Sequence, residues 1–592
     1  MKTIKYKYAV KTICAFVFLC NVTAISAQNN DDDEERDKLE RAMVLEREYD
    51  PTVQDANKVN ILPAIKEPVA RKVPINYASF SMPLEPEKQI TLLPSGNVMT
   101  NIDYNKKRGY LNLAGGTALS FDGDFGYHIL NTEKDKLNFW YSHRSNFGKV
   151  KYLQIDEKEK AKINDNLVGL DFTHGFRKSD FSLGVRYGYF GYNYYGILPV
   201  YAEGGQTNPA DLSTMQANQV INGHIGVQSK KESVVGYIFD VNYVNFSRKY
   251  GINKDEDGLK EHNVTVLLGL NSTFRGNQVI GIGAELNYLG YDIPENALMS
   301  RFQNRFFATI NPYYGITGDN WHVRLGAKVM FYTGKDNWDK ARFFASPDVK
   351  AGVTVAEKTE LYFNAGGYIS NNSAYELSKT NRYINPTEAI MPSRTPLDAK
   401  LGLQSGVAPG FWFDVFGGFR MTANDCFFIP ERTADPGNFG AMSSSWGLDS
   451  KLLYAGAALK YNYQKLLEFR LKGVYNYWDV DEGDDTWIGG APSFEAYYRP
   501  EVEFTAGIDV KPIEPLCITA EYYLASGRHT IPLGIDEKMK NINELNLTCS
   551  YMFNDTFSLY ARANNLLFQK YDLWYGMPAQ GFNFMVGLNL NF

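Results

Sequence analysis

The sequence predicts an all-β protein: a transmembrane antiparallel up-and-down β-barrel of about 22 strands, preceded by a signal peptide and a short non-globular N-terminal arm. Three observations support this prediction. Segments along most of the chain alternate apolar and polar residues with a period of two, which puts the apolar side chains on one face of a strand. The connections between these segments are alternately short and long. The 592 residues include 40 Tyr, 37 Phe and 51 Gly, which is typical of strands that contact lipid on one face and water on the other.

Residues 1–27 have the pattern of a signal peptide. Lysines occur at positions 2, 5, 7 and 11, an apolar stretch runs from about Ile13 to Ala24, and the tripeptide Ile-Ser-Ala at 25–27 is a small-residue cleavage site. Beyond this segment no uncharged apolar run is long enough for a transmembrane helix, which needs about 18 residues or more. The sequence therefore predicts export, and with the barrel it predicts the cell outer membrane.

Residues 28–106 predict an extended periplasmic or luminal arm. An acidic run leads into one short helix with Leu39, Ala42 and Met43 on one side. Prolines follow at 51, 63, 68, 74, 83, 86 and 94. Because proline fixes φ and removes a hydrogen-bond donor, no long helix or central strand fits here. We expect a solvated arm; the functional alternative is that it docks a periplasmic partner or a surface lipoprotein, or enters a pore.

Residues 107–592 predict the barrel, and their last segment shows the alternation most plainly. One face of that segment carries six apolar side chains: Phe582, Phe584, Val586, Leu588, Leu590 and Phe592. The same pattern recurs at 280–288, 321–331, 501–510 and 557–564. A slip of one residue would exchange the two faces, so the pattern specifies the register of each strand. A barrel pairs such a last strand with the first and leaves no exposed edge.

The connections have the rhythm of an outer-membrane barrel, with short turns at one end and long loops at the other. An even number of strands puts both ends of this region on the short-turn side. Short turns are predicted at 177–179, 230–232, 357–358, 408–410, 464–466, 512–515 and 553–556. Long loops are predicted near 144–160, 193–215, 248–258, 291–300, 333–342, 371–396, 425–446, 479–494, 526–541 and 570–580.

The polar faces carry charged residues. Such charges are costly in the packed core of a soluble sandwich or propeller, which is the alternative fold, and they are ordinary in a water-filled lumen. A 22-stranded barrel encloses a lumen wide enough to need plugging, so we expect the arm, a partner, or an inward-folded loop such as 193–215 or 371–396 to limit leakage. The residues expected to line the lumen are Glu285, Arg324, Lys328, Glu468, Arg470, Lys472, Glu501, Glu503, Asp509, Glu521 and Arg562.

The last 34 residues resemble the C-terminus of TonB-dependent outer-membrane receptors. The matching features are Asn565-Leu566 after an alternating strand, Tyr571 in the last loop, Pro578 and Gly581 before the final strand, and Gly587 with the terminal Phe592. Gly587, Leu590 and Phe592 also resemble the signal that the barrel-assembly machinery reads. The resemblance implies a transport or receptor protein for a solute or for a surface-lipoprotein partner.

The resemblance does not extend to the N-terminal region. TonB-dependent receptors carry a folded plug preceded by a TonB-box segment, whereas residues 28–106 are about half that length and match neither. The chain therefore resembles a receptor-type barrel without its plug, a form similar to plugless barrels of Bacteroidetes. Two alternatives stay open: a structural or assembly component of an outer-membrane complex, and a plugless porin-like channel.

Motifs for other functions are weak. Asn253, Asp255 and Asp257 have the spacing of a calcium loop, but Val264 stands where that loop needs a bidentate Glu, so we expect a solvated loop and no metal. No metalloprotease, nucleophile-elbow or phosphate-loop motif occurs, so we expect no enzyme and no cofactor. A net charge of −6 does not suggest nucleic acid. The expected partners are outer-membrane lipid and lipopolysaccharide. The acidic segment 478–487 is expected to be a hydrated extracellular loop, and the alternative is that it gathers divalent cations that bridge lipopolysaccharide.

Overall fold

The computed structural model of the chain describes residues 107–196, 215–230, 235–251, 257–294, 302–333, 342–406, 408–430, 443–481, 494–532 and 536–592. The predicted signal peptide and the arm at 28–106 lie outside these residues, and the domain boundaries there stay predictions.

Twenty-two antiparallel strands form one sheet in which each strand pairs with the next along the chain. The strands are β1 Gly109–Gly116, β2 Phe121–Asn131, β3 Asp135–Asn146, β4 Ile163–Gly175, β5 Ser179–Asn193, β6 Met215–Ser229, β7 Val235–Arg248, β8 Lys260–Phe274, β9 Gln278–Asp292, β10 Arg305–Thr317, β11 Trp321–Thr333, β12 Arg342–Ala356, β13 Thr359–Ser370, β14 Ser393–Ser405, β15 Phe411–Pro430, β16 Ser443–Tyr463, β17 Leu467–Val480, β18 Val502–Ile513, β19 Leu516–Ser526, β20 Ile542–Met552, β21 Phe557–Asn564 and β22 Asn583–Asn591. Among the described residues one α-helix, α1, spans Ala374–Thr380.

The sheet closes into a barrel because β22 pairs with β1, in a register that runs from Tyr110 opposite Asn591 to Gly116 opposite Met585. At the short-turn end the backbone N–H of Gly109 donates to the carbonyl oxygen of Phe592 at 2.7 Å, and the N–H of Phe592 donates back at 2.9 Å. The predicted fold and strand number are confirmed, and no strand of the barrel is left with an open edge.

The two faces of the wall differ as the alternation predicts. On β22, Val586 is 51% exposed whereas its neighbour Met585 is 3% exposed. Outward apolar side chains remain exposed on distant strands as well, such as Ile280 at 57% and Leu325 at 54%. A closed barrel with a continuous apolar outer face is suited to lipid. The chain is therefore an outer-membrane β-barrel.

Among the described residues, no helix is both long enough and apolar enough to cross a membrane.

The alternation of short turns and long loops is also present, with one exception. At the long-loop end β1 and β2 are joined only by a single 3-10 turn, Thr117–Leu119, in which Ala118 has a φ of 59°. Strand lengths differ too, because β15 and β16 have 20 and 21 residues whereas β1 and β21 have eight each. The wall thus rises highest at β15 and β16.

Candidate functional site: a strap and the cavity beneath it

The connection between β13 and β14, residues 371–392, folds across the barrel at its long-loop end; we call it the strap. It contains α1, which begins because Ser373 caps it: the Ser373 hydroxyl accepts a hydrogen bond from the N–H of Glu376 at 3.2 Å. This Ser-x-x-Glu spacing is that of a capping box. Lys379 pairs with Glu376 one turn away at 2.9 Å, which adds support along the helix.

The strap joins opposite sides of the ring. The guanidinium of Arg382 donates two hydrogen bonds to the carboxylate of Asp165 on β4, at 2.9 and 3.3 Å. The backbone just beyond it pairs with β16: the N–H of Ser443 donates to the carbonyl of Tyr383 at 3.0 Å, and the N–H of Asn385 donates to the carbonyl of Ser443 at 2.8 Å.

Two buried arginines hold the strap from further strands. Arg248 on β7 donates to the hydroxyl of Ser378 at 2.8 Å, and Arg305 on β10 donates to the carbonyl of Ile390 at 3.1 Å. Their side chains are only 4% and 5% exposed. A buried guanidinium needs acceptors, and the strap supplies acceptors to both of these arginines.

Tyrosines pack around the middle of the strap. The ring of Tyr383 meets Tyr192 and Tyr195 edge-on, with centroids 5.8 and 5.4 Å apart, a favoured aromatic geometry.

Burial lowers the pKa of the Arg382 guanidinium, but the charge of Asp165 more than offsets this and holds that pKa above its ordinary value. Arg382 therefore stays charged at its anchor. The strap agrees with the expectation of an inward-folded loop at 371–396; residues 197–214 of the other candidate loop lie outside the described part.

A cavity of about 910 Å³ lies beneath the strap. Residues of β4 to β11 and of the end of β13 line its wall, and Tyr375, Glu376 and Lys379 of α1 lie at its strap side. Burial, assisted by Glu376 and Glu261, raises the pKa of Tyr375 to about 12. The Tyr375 hydroxyl therefore stays neutral and able to donate a hydrogen bond at physiological pH.

The structure brings two of the residues predicted to line the lumen into this cavity. Glu285 on β9 and Lys328 on β11 both line it and lie within electrostatic range of each other. The ammonium of Lys328 also donates to the carbonyl of Gly367 at 3.0 Å. The remaining nine lie elsewhere.

Four of them form a second group, on β17 to β19. Arg470 forms ion pairs at 2.7 Å with both Glu468 and Asp509. Glu521 lies within the electrostatic range of Arg470, and its Oε2 is buried without a hydrogen-bond partner. This group is close to the short turns, at the end of the barrel opposite the strap.

The other five lie outside these two groups, and two of them, Lys472 and Glu503, are within electrostatic range of each other. Arg324 pairs with Asp348 at 2.9 Å, the Tyr523 hydroxyl donates to Glu503 at 3.2 Å, and Arg562 pairs with Asp122. Lys472 lies opposite Thr505 in the sheet. Glu501 precedes β18, and its N–H donates to the carbonyl of Ser526 at 2.9 Å.

The three residues of the predicted assembly signal lie at the end of the chain. Gly587 packs against Tyr560 so closely that an added Cβ would lie 2.3 Å from its ring, which explains the glycine. Leu590 pairs with Leu111 and Phe557 on the adjoining strands. The ring of Phe592 lies 6.3 Å from that of Tyr127.

The metal candidates cannot be assembled from the described residues. Asn253 and Asp255 lie outside them, and Asp257 forms an isolated bridge with Tyr250. In the part of the chain that the structure describes, no three His, Cys, Asp or Glu side chains come together as a metal site.

Sequence reasoning missed the residues that hold the strap, and it missed further residues that form ion pairs elsewhere in the barrel. Asp165 and Asp348 do occupy inward positions of alternating strands, so the same pattern that selected the predicted residues could have included them. Arg382 and Ser443 offered no such signal, because nothing in a loop's sequence indicates which distant strand it will contact. Arg499 follows a loop and pairs with Asp425 at 2.6 Å, and its sequence context offered no signal of this contact either.

No family model matches the chain, and no curated protein matches its sequence. Solved structures do match its fold. The ferric-catecholate import receptor Fiu of E. coli K12 matches with a TM-score of 0.59 at 11% identity, over 82% of this chain and 82% of that one. The FrpB iron transporter of Neisseria meningitidis (F5-1 variant) matches at 0.63 and 11%, over 82% and 83%. The siderophore receptor PirA of Acinetobacter baumannii matches at 0.60 and 10%, over 82% and 81%. At these identities the likeness establishes the fold of a receptor-type barrel.

Proposed function

We propose that the chain is an outer-membrane receptor or transport barrel of TonB-dependent type, in which the strap restricts passage of a solute through the lumen. The observation that carries the proposal is the strap itself, tied by Arg382 to β4 and by its backbone to β16 on the other side of the ring. A wide barrel needs such a constriction if it is not to leak. The similar structures support the proposal, since their names describe import receptors and transporters.

The polar inner face of the barrel would line the path that the solute follows through the lumen. All eleven residues predicted from the alternation, among them Glu285 and Lys328 beneath the strap and Arg470 at the other end, would line the lumen and hold water or a polar solute. Gly587, Leu590 and Phe592 would be read by the barrel-assembly machinery during biogenesis. Outward apolar side chains would contact lipid and lipopolysaccharide.

The N-terminal arm belongs to the same proposal. Residues 28–106 would act without a folded plug, as in the plugless barrels of Bacteroidetes, and would contact a periplasmic partner or a surface lipoprotein. The number of prolines in this arm supports an extended form.

Planar-bilayer conductance tests the proposed function. The full mature chain should be silent or nearly so, and a variant in which residues 374–390 are replaced by a short Gly-Ser linker should form large open pores. A matched variant with the same linker inserted in the short turn at 464–466 should behave like the parent. A parent that conducts strongly would favour the porin-like alternative, and a strap-deleted barrel that stays silent would contradict a path through the lumen.

A further inference from the structure

We propose that the cavity beneath the strap is a binding site for an uncharged, hydroxyl-rich solute of short-oligosaccharide size. This inference rests on the proposed function, because it assigns a solute class to the same lumen. It is carried by the chemistry of the cavity wall: its amides, its balanced charges and its aromatic rings.

Amide side chains dominate the polar part of the wall. Seven asparagines line the cavity: Asn222, Asn242, Asn263, Asn271, Asn287, Asn311 and Asn371. An amide offers both donors and an acceptor and carries no charge. Such a surface matches hydroxyl groups, which also donate and accept, better than it matches ions.

Some of these amides are already held in place and keep one acceptor unused. The Nδ2 of Asn287 donates to Asn263 Oδ1 at 2.5 Å and to Thr265 Oγ1 at 2.7 Å, while its Oδ1 is buried with no hydrogen-bond partner. Asn287 is only 8% exposed. Asn311 repeats the pattern, since its Nδ2 donates to Asp348 at 2.9 Å and its Oδ1 has no partner. The Nδ2 hydrogen bonds therefore fix both amides in the cavity wall.

The charges that line the cavity compensate each other. Arg186 pairs with Asp171 at 3.2 Å, Lys379 pairs with Glu376, and Glu285 lies within electrostatic range of Lys328. An anionic ligand would need cations free to meet it, and a cationic ligand would need free carboxylates. The pairing therefore favours a neutral solute over either.

Aromatic rings and the size of the cavity fit the same class. Phe190 and Tyr375 line it, and flat rings pack against the C–H faces of a sugar while the amides bond its hydroxyl groups. A volume of about 910 Å³ lies within the range of about 300–1,000 Å³ that is usual for small-molecule sites.

Two glycines allow a steric test with a matched control. Gly283 lines the cavity, and an added Cβ there meets nothing closer than 3.9 Å, so G283F fills the cavity without a clash at its base. Gly223 on β6 lies on the outer face between the exposed Ile221 and Ile225, and a Cβ there meets nothing within 4 Å. G223F therefore adds the same ring on the lipid side.

The experiment measures binding of the full mature protein in detergent to an array of neutral oligosaccharides (glucan, mannan, fructan and N-acetylglucosamine oligomers), with oligogalacturonates and a ferric catecholate as anionic probes. We expect a neutral probe to bind, G283F to abolish that binding, and G223F to leave it unchanged. N287L should weaken it about tenfold or more, because an apolar side chain replaces an amide of the cavity wall. Heat-modifiable migration in a gel verifies that each variant is a folded barrel.

The proposal is overturned if no neutral oligosaccharide binds, if only the anionic probes bind, or if G283F binds as the parent does. Binding in detergent does not require passage, and conductance does not require a ligand. If the strap-deleted barrel does not conduct but a neutral oligosaccharide binds, transport is refuted and the binding site stands. If the strap-deleted barrel conducts but no neutral oligosaccharide binds, only the binding site is refuted.

Discussion

Phe592 illustrates how a single residue can be interpreted only once the whole ring is known. As a lone strand end it would be an exposed apolar edge, yet its backbone makes two hydrogen bonds with Gly109 and its ring lies near Tyr127. Alternation predicts the direction of such side chains because a strand has only two faces. It could not predict partners such as Asp122 for Arg562, which depend on strands 440 positions apart.

The face assignment on β22 is testable by charge. Val586 lies six residues before Phe592; at ~3.3 Å per residue and a tilt of ~40° it is about 15 Å above the rim, near the middle of an apolar band of ~25 Å. V586R should therefore lower the free energy of unfolding by about 2–4 kcal/mol. Denaturant titration in lipid vesicles measures it. N589R, on the other face, should cost far less, and equal costs would contradict the assignment.

Asp572, in the loop before β22, should make stability depend on pH. It is 4% exposed, and burial raises its pKa above the ordinary 3.8. Folding then favours the protonated carboxyl, so its contribution to stability is present at low pH and is lost as the pH rises from 3.8 through the raised value. We expect D572N to be more stable relative to the parent at pH values above the raised pKa than at pH values below 3.8, as measured by thermal melting.

A matched substitution at an exposed carboxylate in another outer loop, D481N, controls for the loss of one negative charge. If D572N instead falls below the parent at pH 8, the ionised carboxylate stabilises the loop and the sign is wrong.

At the scale of elements, the strands and the strap differ in how far the sequence predicts them. The strands follow from a period of two that repeats over many residues, and their number agrees with the prediction. Within the strap only α1 has a local signal, the Ser373 and Glu376 pair of a capping box. The path of the strap depends on Arg382, Arg248 and Arg305 reaching acceptors far away in sequence, and no local propensity encodes that. The cavity beneath it was unpredictable for the same reason.

The bond between Arg382 and Asp165 should set how often the strap opens. Their side chains are 31% and 18% exposed, so the pair is intermediate between surface and buried ion pairs. A surface pair stabilises by up to ~1 kcal/mol, and disrupting a buried pair costs ~3–5 kcal/mol. We expect R382Q to lower the free energy of local opening by about 2 kcal/mol. Hydrogen exchange of strap peptides, read by mass spectrometry, measures this quantity.

A double-mutant cycle isolates the interaction, since R382Q combined with D165N should cost less than the sum of the single changes. Breaking the exposed pair Lys451–Asp479, whose atoms are 3.7 Å apart, should leave the strap's exchange unchanged. Strict additivity of R382Q and D165N would indicate that the contact does not hold the strap.

At the scale of the whole molecule, the barrel combines a closed wall with an uneven rim. Closure follows from the pairing of β22 with β1, whereas the rim is high at β15 and β16 and low at the short turn between β1 and β2. Ser443 to Ser445, at the start of β16, contact the strap through Tyr383 and Glu388. β15 and β16 are longer than a membrane requires, and the extra length of β16 provides the second contact that holds the strap, after the one with Asp165 on β4.

The last prediction separates the strap from the N-terminal arm as the element that limits leakage. Four versions of the mature chain are compared by planar-bilayer conductance: the parent, one without residues 28–106, one without the strap, and one without both. If the strap closes the lumen, as its anchors on β4 and β16 imply, deleting the arm alone leaves the barrel silent and deleting the strap opens it. The double deletion should then conduct like the strap deletion, because the arm adds no further block. A large pore on deleting the arm alone would mean that residues 28–106 plug the barrel, and the expectation of a plugless receptor would be wrong.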